Sequence, residues 1–262
     1  MSCASCGGTG FAIVERDGRE YAQACACRAS GAAAAGQTTV SERLRIPPRY
    51  AHCSLANFEP GSPSLRAALA KAMSYCNGYP HLGDDEGLGL LFTGDNGVGK
   101  THLAVAVLRE LFTAKGARGE FWDFHELIRE IKNSYNPETR TTELQVLAPV
   151  VEMDVLLLDD LGAWKMTDWM NDTLFFILNS RYMAKRATLI TTNFQDVDPT
   201  TLRKMHPNAP KEFLLDRIGP RLRSRLMEMC LVIKMQGDDH RQVAGQASNE
   251  AAVRAAPPPG GR

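Results

Sequence analysis

Short apolar runs alternate with longer stretches of helical period along most of this chain. Leu88-Gly89-Leu90-Leu91-Phe92-Thr93 is continuous and apolar, as a strand buried on both faces requires. His102 to Leu111 then carries apolar residues at helical spacing. Glu120-Phe121-Trp122-Asp123-Phe124 predicts a second strand, and Leu127, Ile128 and Ile131 lie on one side of the helix after it. Asn133 to Thr142 is a polar break, expected to be a surface loop. Met153 to Asp160 predicts a third strand, ending in two carboxylates. A helix from Thr167 or Asp168 to Ala184 leads to the strand Thr188-Leu189-Ile190-Thr191-Thr192-Asn193. Thr200 to Glu228 reads as mainly helical, with breaks at His206-Pro207 and Gly219-Pro220, and Cys230 to Lys234 as a last short strand. Upstream, Ser62-Pro63 suits a helix start, with Leu65, Leu69, Ala72, Met73 and Cys76 on the buried face. Strands alternating with helices predict an α/β fold, a parallel sheet covered on both faces with its ligand at the strands' C-terminal ends.

One junction in this pattern carries chemistry. Gly94-Asp95-Asn96-Gly97-Val98-Gly99-Lys100-Thr101 satisfies G-x-x-x-x-G-K-[ST] and sits between a strand and a helix, the context that motif needs. Such a turn points backbone N–H groups at phosphate oxygens, and the helix N-terminus adds partial positive charge. Lys100 is expected at the β- and γ-phosphates and the Thr101 hydroxyl on Mg²⁺. Other strand ends suit the same task. Asp159 fits a carboxylate that holds Mg²⁺, and Asp160 stands where a water-orienting acid belongs, although it is one methylene shorter than the more usual glutamate. Asn193 is placed to bond the γ-phosphate or that water. Further on, Pro220 suits the start of a new helix, on which Arg221 and Arg225, four apart, share a face. They fit either fingers for a neighbour's ATP site or a basic phosphate-backbone patch.

Composition narrows the class. At 262 residues, with 30 basic and 30 acidic side chains, the chain has no net charge, so any nucleic-acid contact must be a local patch. The N-terminus lacks a signal sequence and no apolar run approaches a membrane span, so a cytoplasmic protein without membrane contact is expected. Four of the seven cysteines fall as Cys3-x-x-Cys6 and Cys25-x-Cys27, around a hairpin expected to turn at Asp17-Gly18. Two close thiolate pairs suit tetrahedral Zn²⁺. Cys53, Cys76 and Cys230 stand alone. The expected organisation is a zinc module over 1–28, a flexible linker over 29–46, a nucleotide-binding core over 47–241 and a disordered tail over 242–262, Ala/Pro/Gly-rich from Ala247.

These residues together resemble the AAA+ ATPases of the DnaC-type helicase-loader and IstB-like family. The likeness rests on Cys3-x-x-Cys6-Gly-Gly-Thr-Gly with Cys25-x-Cys27-Arg28, on Ile46-Pro47-Pro48-Arg49-Tyr50 and Leu55-Ala56-Asn57-Phe58, on the P-loop running into His102-Leu103-Ala104, on Asp159-Asp160-Leu161-Gly162 and on Thr191-Thr192-Asn193. It implies a P-loop AAA+ fold, a three-layer parallel sheet with little or no C-terminal lid, and a small zinc-ribbon-like module in front. It implies Asn193 as sensor 1, an arginine-finger helix over Arg221 to Arg225 with Arg225 as the finger, and Arg241 at the sensor 2 position beside the nucleotide. It further implies ATP, Mg²⁺ and Zn²⁺ as cofactors, ATP-dependent self-assembly, a replicative helicase as partner and single-stranded DNA contact. Phe124, Arg129, Lys132 and Tyr135 are the candidates for that last contact. A transposition regulator acting with a transposase, and a nucleotide-dependent adaptor with little hydrolysis, are the alternatives.

Overall fold

The computed structural model describes residues 11–16, 19–24, 38–81, 89–136, 138, 142–196 and 212–240. The chain divides into two compact units, Met1–Arg43 and Leu44–Arg262. In the first, β1 (Phe11–Arg16) and β2 (Arg19–Ala24) pair antiparallel with Arg16 opposite Arg19, the two-residue separation expected of a hairpin. The short helix α1 spans Val40–Arg43, inside the stretch read as linker. The second unit starts at Leu44, three residues ahead of the expected Pro47. Leu44 and Ile46 are buried apolar side chains, and the Leu44 carbonyl accepts the Phe121 N–H, so these residues are held as core and not as linker. Cys3, Cys6, Cys25, Cys27 and Arg241 lie outside the described residues, as does the tail.

The larger unit is built on a five-stranded, all-parallel sheet in the order β4-β5-β6-β3-β7, with β3 Gly89–Gly94, β4 Gly119–Asp123, β5 Val155–Asp159, β6 Ala187–Thr192 and β7 Cys230–Met235. The three central strands are buried at every position, which explains the apolar runs of β3 and β5, while β6 carries three buried threonines. Among the described residues the helices of this unit are α2 (Pro63–Gly78), α3 (Lys100–Lys115), α4 (Phe124–Asn133), α5 (Glu143–Glu152), α6 (Asp168–Met183) and α7 (Leu214–Met229). Ser62 caps α2 by accepting the Leu65 N–H, with Pro63 at the first position as expected. Its buried face differs in detail. Ala68 and Tyr75 are inside whereas Met73 is exposed, because β7 and α3 leave room for one stripe only. Helix α5 fills part of the segment after the polar break. A Thr142–Gln145 capping box starts it, a signal masked in the sequence by Pro149 three residues before its end. Gly219, at φ +75°, breaks α7 before Pro220, where the sequence placed the interruption.

Arg181 of α6 is fully buried, and among the described residues no carboxylate pairs with it. Its guanidinium donates to the Thr188 hydroxyl and to the carbonyls of Val150, Met153 and Ala187, tying the end of α5 to the starts of β5 and β6. That joint fixes the far end of the strands whose near ends form the site. No helix among the described residues is long and apolar enough to cross a membrane.

Candidate nucleotide site

Adjacent strands β5, β6 and β3 bring three polar ends together above the sheet. The loop after β3 needs its glycines for two distinct reasons. At Gly97 the backbone adopts φ +76°, and a Cβ there would lie 1.7 Å from the Asp239 carboxylate. At Gly94 a Cβ would meet the Met235 carbonyl oxygen at 1.9 Å. The segment after β7 therefore packs directly on the loop, and the His240 N–H donates to the Gly97 carbonyl. Lys100 is nearly buried, its ammonium donating to the Gly94 and Asp95 carbonyls at 2.9 and 2.6 Å.

Asp159 is the hub. One of its oxygens, Oδ1, accepts from the Thr101 hydroxyl at 2.8 Å and from the Thr191 hydroxyl at 2.6 Å. Thr191 in turn accepts the Asp160 N–H at 2.9 Å, and Asn193 Nδ2 donates to Asp160 Oδ1 at 2.8 Å. Asp160 stands at φ +61°, a left-handed conformation that costs a non-glycine residue about 1–2 kcal/mol. The turn is held there by Leu161, whose N–H donates to the Thr191 carbonyl and whose carbonyl accepts from Thr192. Burial lifts the Asp159 carboxyl above the usual carboxylate range; the threonine hydroxyls oppose the shift, and the charges of Asp160 and Asp123 add to it. A buried acid among acids is a site that a divalent cation would relieve.

The cavity here is about 340 Å³ and is lined by Asn96, Gly97, Gly99, Lys100, Thr101 and His102 from the P-loop, and by Asp159, Asp160 and Asn193. Of the other expected loop residues, Gly94 and Asp95 supply carbonyls to Lys100 and Val98 is buried beneath. Arg49, Tyr50, Asp123 and Thr191 complete the wall. Arg49, Tyr50 and Thr191 belong to the motifs that carry the family likeness and Asp123 to a predicted strand, but local sequence gives none of the four a role at the site. Asp123 ends β4 and caps α4 through the Glu126 N–H, and Thr191 lies inside an otherwise unremarkable strand. Only the sheet order shows that they face the phosphate loop.

A model of the IstB-like ATP binding protein family matches residues 68–244, well over half of the chain. The chain belongs to that family. The replicative helicase loader DnaI of Bacillus subtilis (strain 168) is 28% identical over 180 residues, 68% of this chain and 55% of that protein. The chain thus spans about half the length of this curated relative. An insertion sequence IS5376 ATP-binding protein of Geobacillus stearothermophilus is 30% identical over 104 residues, 40% of this chain and 39% of that protein. Among solved structures, a crystal structure of the DnaC helicase loader superposes with a TM-score of 0.59 at 31% identity, covering 72% of this chain and all of the other. The expected P-loop AAA+ fold and family are both as the sequence implied, and the family implies ATP binding and, in general, ATPase activity.

In this IstB-like protein Arg221 and Arg225 of α7 lie away from the cavity. Arg221 packs its guanidinium 3.7 Å from the Phe175 ring and 3.9 Å from Asp172, and Arg225 lies over Tyr182 and pairs with Glu228 at 2.7 Å. Neither meets its own P-loop. Arg217 does reach the Asp159–Asp160 turn, donating to the Gly162 and Ala163 carbonyls at 2.7 Å each, while Arg223 pairs with Asp196. Of the candidates for nucleic-acid contact, Phe124 is a core residue, buried because it opens α4 beneath the sheet edge, and so presents no ring to a base. Arg129, Lys132 and Tyr135 are exposed, the last two against Trp169. Trp164, exposed and stacked on His125 at 4.4 Å, is an aromatic surface that sequence period did not reveal.

Proposed function

We propose that this protein is an ATP-hydrolysing factor that loads a replicative helicase onto DNA and couples its ATP state to helicase and single-stranded DNA binding. The observation that carries the ATPase part is the hydrogen-bonded chain Thr101–Asp159–Thr191–Asp160–Asn193, which crosses two neighbouring strand ends and ties them to the P-loop. Lys100 would hold the β- and γ-phosphates. Thr101 and Asp159 would hold Mg²⁺, which supplies charge neutralisation at the transferred phosphoryl group. Asp160, fixed by Asn193 and by its own backbone bond to Thr191, orients water for in-line attack. The helicase part is supported by similarity to proteins named as helicase loaders.

In the same reading, hydrolysis is slow alone and stimulated by partners. Arg225, with Arg221 beside it, acts on a neighbour's site after ATP-dependent assembly, and Arg241 serves as sensor 2. Cys3, Cys6, Cys25 and Cys27 hold one Zn²⁺. Such a protein works in the cytoplasm. The test is ATP hydrolysis with and without single-stranded DNA and helicase, in wild type and Lys100→Ala. Stimulated hydrolysis that Lys100→Ala abolishes is expected; background hydrolysis under every condition would reduce the protein to a nucleotide-dependent adaptor. The insertion-sequence relative supports a second reading, a transposition regulator, and co-purification of a transposase in place of a helicase would establish it. For the metal, Cys3→Ser/Cys6→Ser should lose about one equivalent of zinc; an unchanged zinc content would dismiss the module.

A further inference from the structure

We propose that His52, Cys53 and His102 form a transition-metal site, fitted to Zn²⁺, that clasps the segment leading into the core to the first turn of the P-loop helix. His52 and Cys53 follow the 3-10 turn Pro48–Tyr50, and His102 lies in the first turn of α3. The fold nonetheless brings one ring nitrogen from each histidine and the Cys53 Sγ within 4.8 Å of one another. Sγ lies 3.9 Å from His52 Nε2. A tetrahedral Zn²⁺ with sulfur at ~2.3 Å and nitrogen at ~2.0–2.1 Å holds such a pair roughly 3.6 Å apart, so this pair needs a closure of a few tenths of an ångström, and the His102 nitrogen, within 4.8 Å of the other two ligand atoms, one of up to about 1 Å.

Ligand chemistry and access agree with this geometry. One thiolate and two imidazoles form a borderline-soft set that selects zinc over magnesium or calcium, with a fourth position left for water. Cys53 is buried, His102 half-buried and His52 exposed, so the cluster opens to solvent on one side only. Outer contacts hold the ligands in place. Asn57 Oδ1 lies 3.0 Å from His102 Nε2 and accepts the Ser54 N–H, while its amide donates to the His52 carbonyl at 2.7 Å. A histidine fixed at one ring nitrogen by such a partner offers the other to a metal. Phe58 meets the His102 ring edge-on and also abuts Gly99. Burial keeps the His102 imidazole below its ordinary pKa, hence neutral and able to ligate at pH 7. Burial pushes the Cys53 thiol up to about 11, so metal binding must displace its proton to solvent.

The location gives the site a consequence. His102 lines the nucleotide cavity next to Thr101, and Arg49 and Tyr50, just before His52, form another part of its wall. A bound ion would fix these parts against each other and so change nucleotide affinity, and nucleotide would change metal affinity by the same factor.

The test uses the full chain with Cys3, Cys6, Cys25 and Cys27 replaced by serine, which removes any amino-terminal zinc. Co²⁺ titration, read by thiolate-to-cobalt absorption, should show one equivalent bound, displaced by Zn²⁺, with release of about one proton per ion at neutral pH. Cys53→Ser should abolish the band. Exposed His52→Ala should weaken Co²⁺ binding at least tenfold and, as a surface change, serves if Cys53→Ser fails to fold. No thiolate band, or one that survives Cys53→Ser or is unmoved by His52→Ala, overturns the site. Binding of a fluorescent ATP analogue should shift about fivefold or more when Zn²⁺ is added, and less in His52→Ala. Equal affinity with and without Zn²⁺ overturns the coupling.

Discussion

Replacing Thr191 with valine removes one hydroxyl and almost no volume from the centre of the site. That hydroxyl does two jobs, donating to Asp159 Oδ1 at 2.6 Å and accepting the Asp160 N–H at 2.9 Å, and the residue is 2% exposed. A hydrogen bond to a charged carboxylate contributes roughly 1.5–3 kcal/mol, and taking the acceptor from a partly buried N–H costs up to roughly 1–3 kcal/mol. The two losses act differently. The first falls on Asp159, where Thr191 is the foremost group holding the carboxyl down against burial, with Thr101 second. Without it the carboxyl rises further. A carboxyl whose folded-state pKa is raised contributes stability below its unfolded pKa and loses it as pH rises through the folded value. Cation binding needs the ionised form, so it is favoured in the opposite direction. The acid limb of ATPase activity should therefore move to higher pH in Thr191→Val, and half-maximal Mg²⁺ should rise as pH falls toward that limb, by up to about tenfold where the lost ~1.4 kcal/mol is fully expressed. The second loss falls on the left-handed Asp160 turn and should lower the melting temperature by roughly 2–10 °C. ATPase rate against Mg²⁺ concentration at several pH values, with a melting curve, separates the two effects. A lowered melting temperature with an unchanged Mg²⁺ requirement and pH limb would refute the bridging role. Thr191→Ser, which keeps the hydroxyl, should restore most of both.

Other consequences are open to direct measurement. Arg225→Ala should lose hydrolysis but keep ATP binding, and mixing it with Lys100→Ala subunits should restore some activity if neighbours share sites; absence of rescue would return Arg225 to its pair with Glu228 as a purely structural residue. Arg181→Met should destabilise the fold by roughly 3–5 kcal/mol in chemical denaturation, because several buried carbonyls lose their donor together; Arg181→Lys, with a compact ammonium, should recover little of it. Trp164→Ala should weaken single-stranded DNA binding by roughly 1–3 kcal/mol in anisotropy titrations, the range for one base–aromatic stack, while leaving ATP binding intact. Unchanged DNA affinity would show the Trp164–His125 stack to be a surface ornament of the loop after Asp160.

Much of this protein was determined by local sequence. The P-loop declares itself because a phosphate-binding turn needs small residues, a lysine and a hydroxyl at fixed offsets between a strand and a helix, all within eight residues. Buried strands declare themselves because a parallel sheet covered on both faces leaves few positions for a polar side chain, and those it keeps here, such as Thr188 and Thr191, are hydrogen-bonded. The break at Gly219-Pro220 was equally local, since glycine and proline act on their own backbone. The strand order could not be read that way. Whether Asp123 or Thr191 faces the phosphate loop depends on β4, β5, β6 and β3 standing side by side in that order, and no residue encodes its neighbour across a sheet. Tertiary packing also made Phe124 a core residue, turned Met73 outward and set Arg221 and Arg225 against α6, away from their own cavity. The meeting of His52 and Cys53 with His102 has the same origin. Its chemistry is written in three residue types, but their separation of some fifty positions is closed only by the fold.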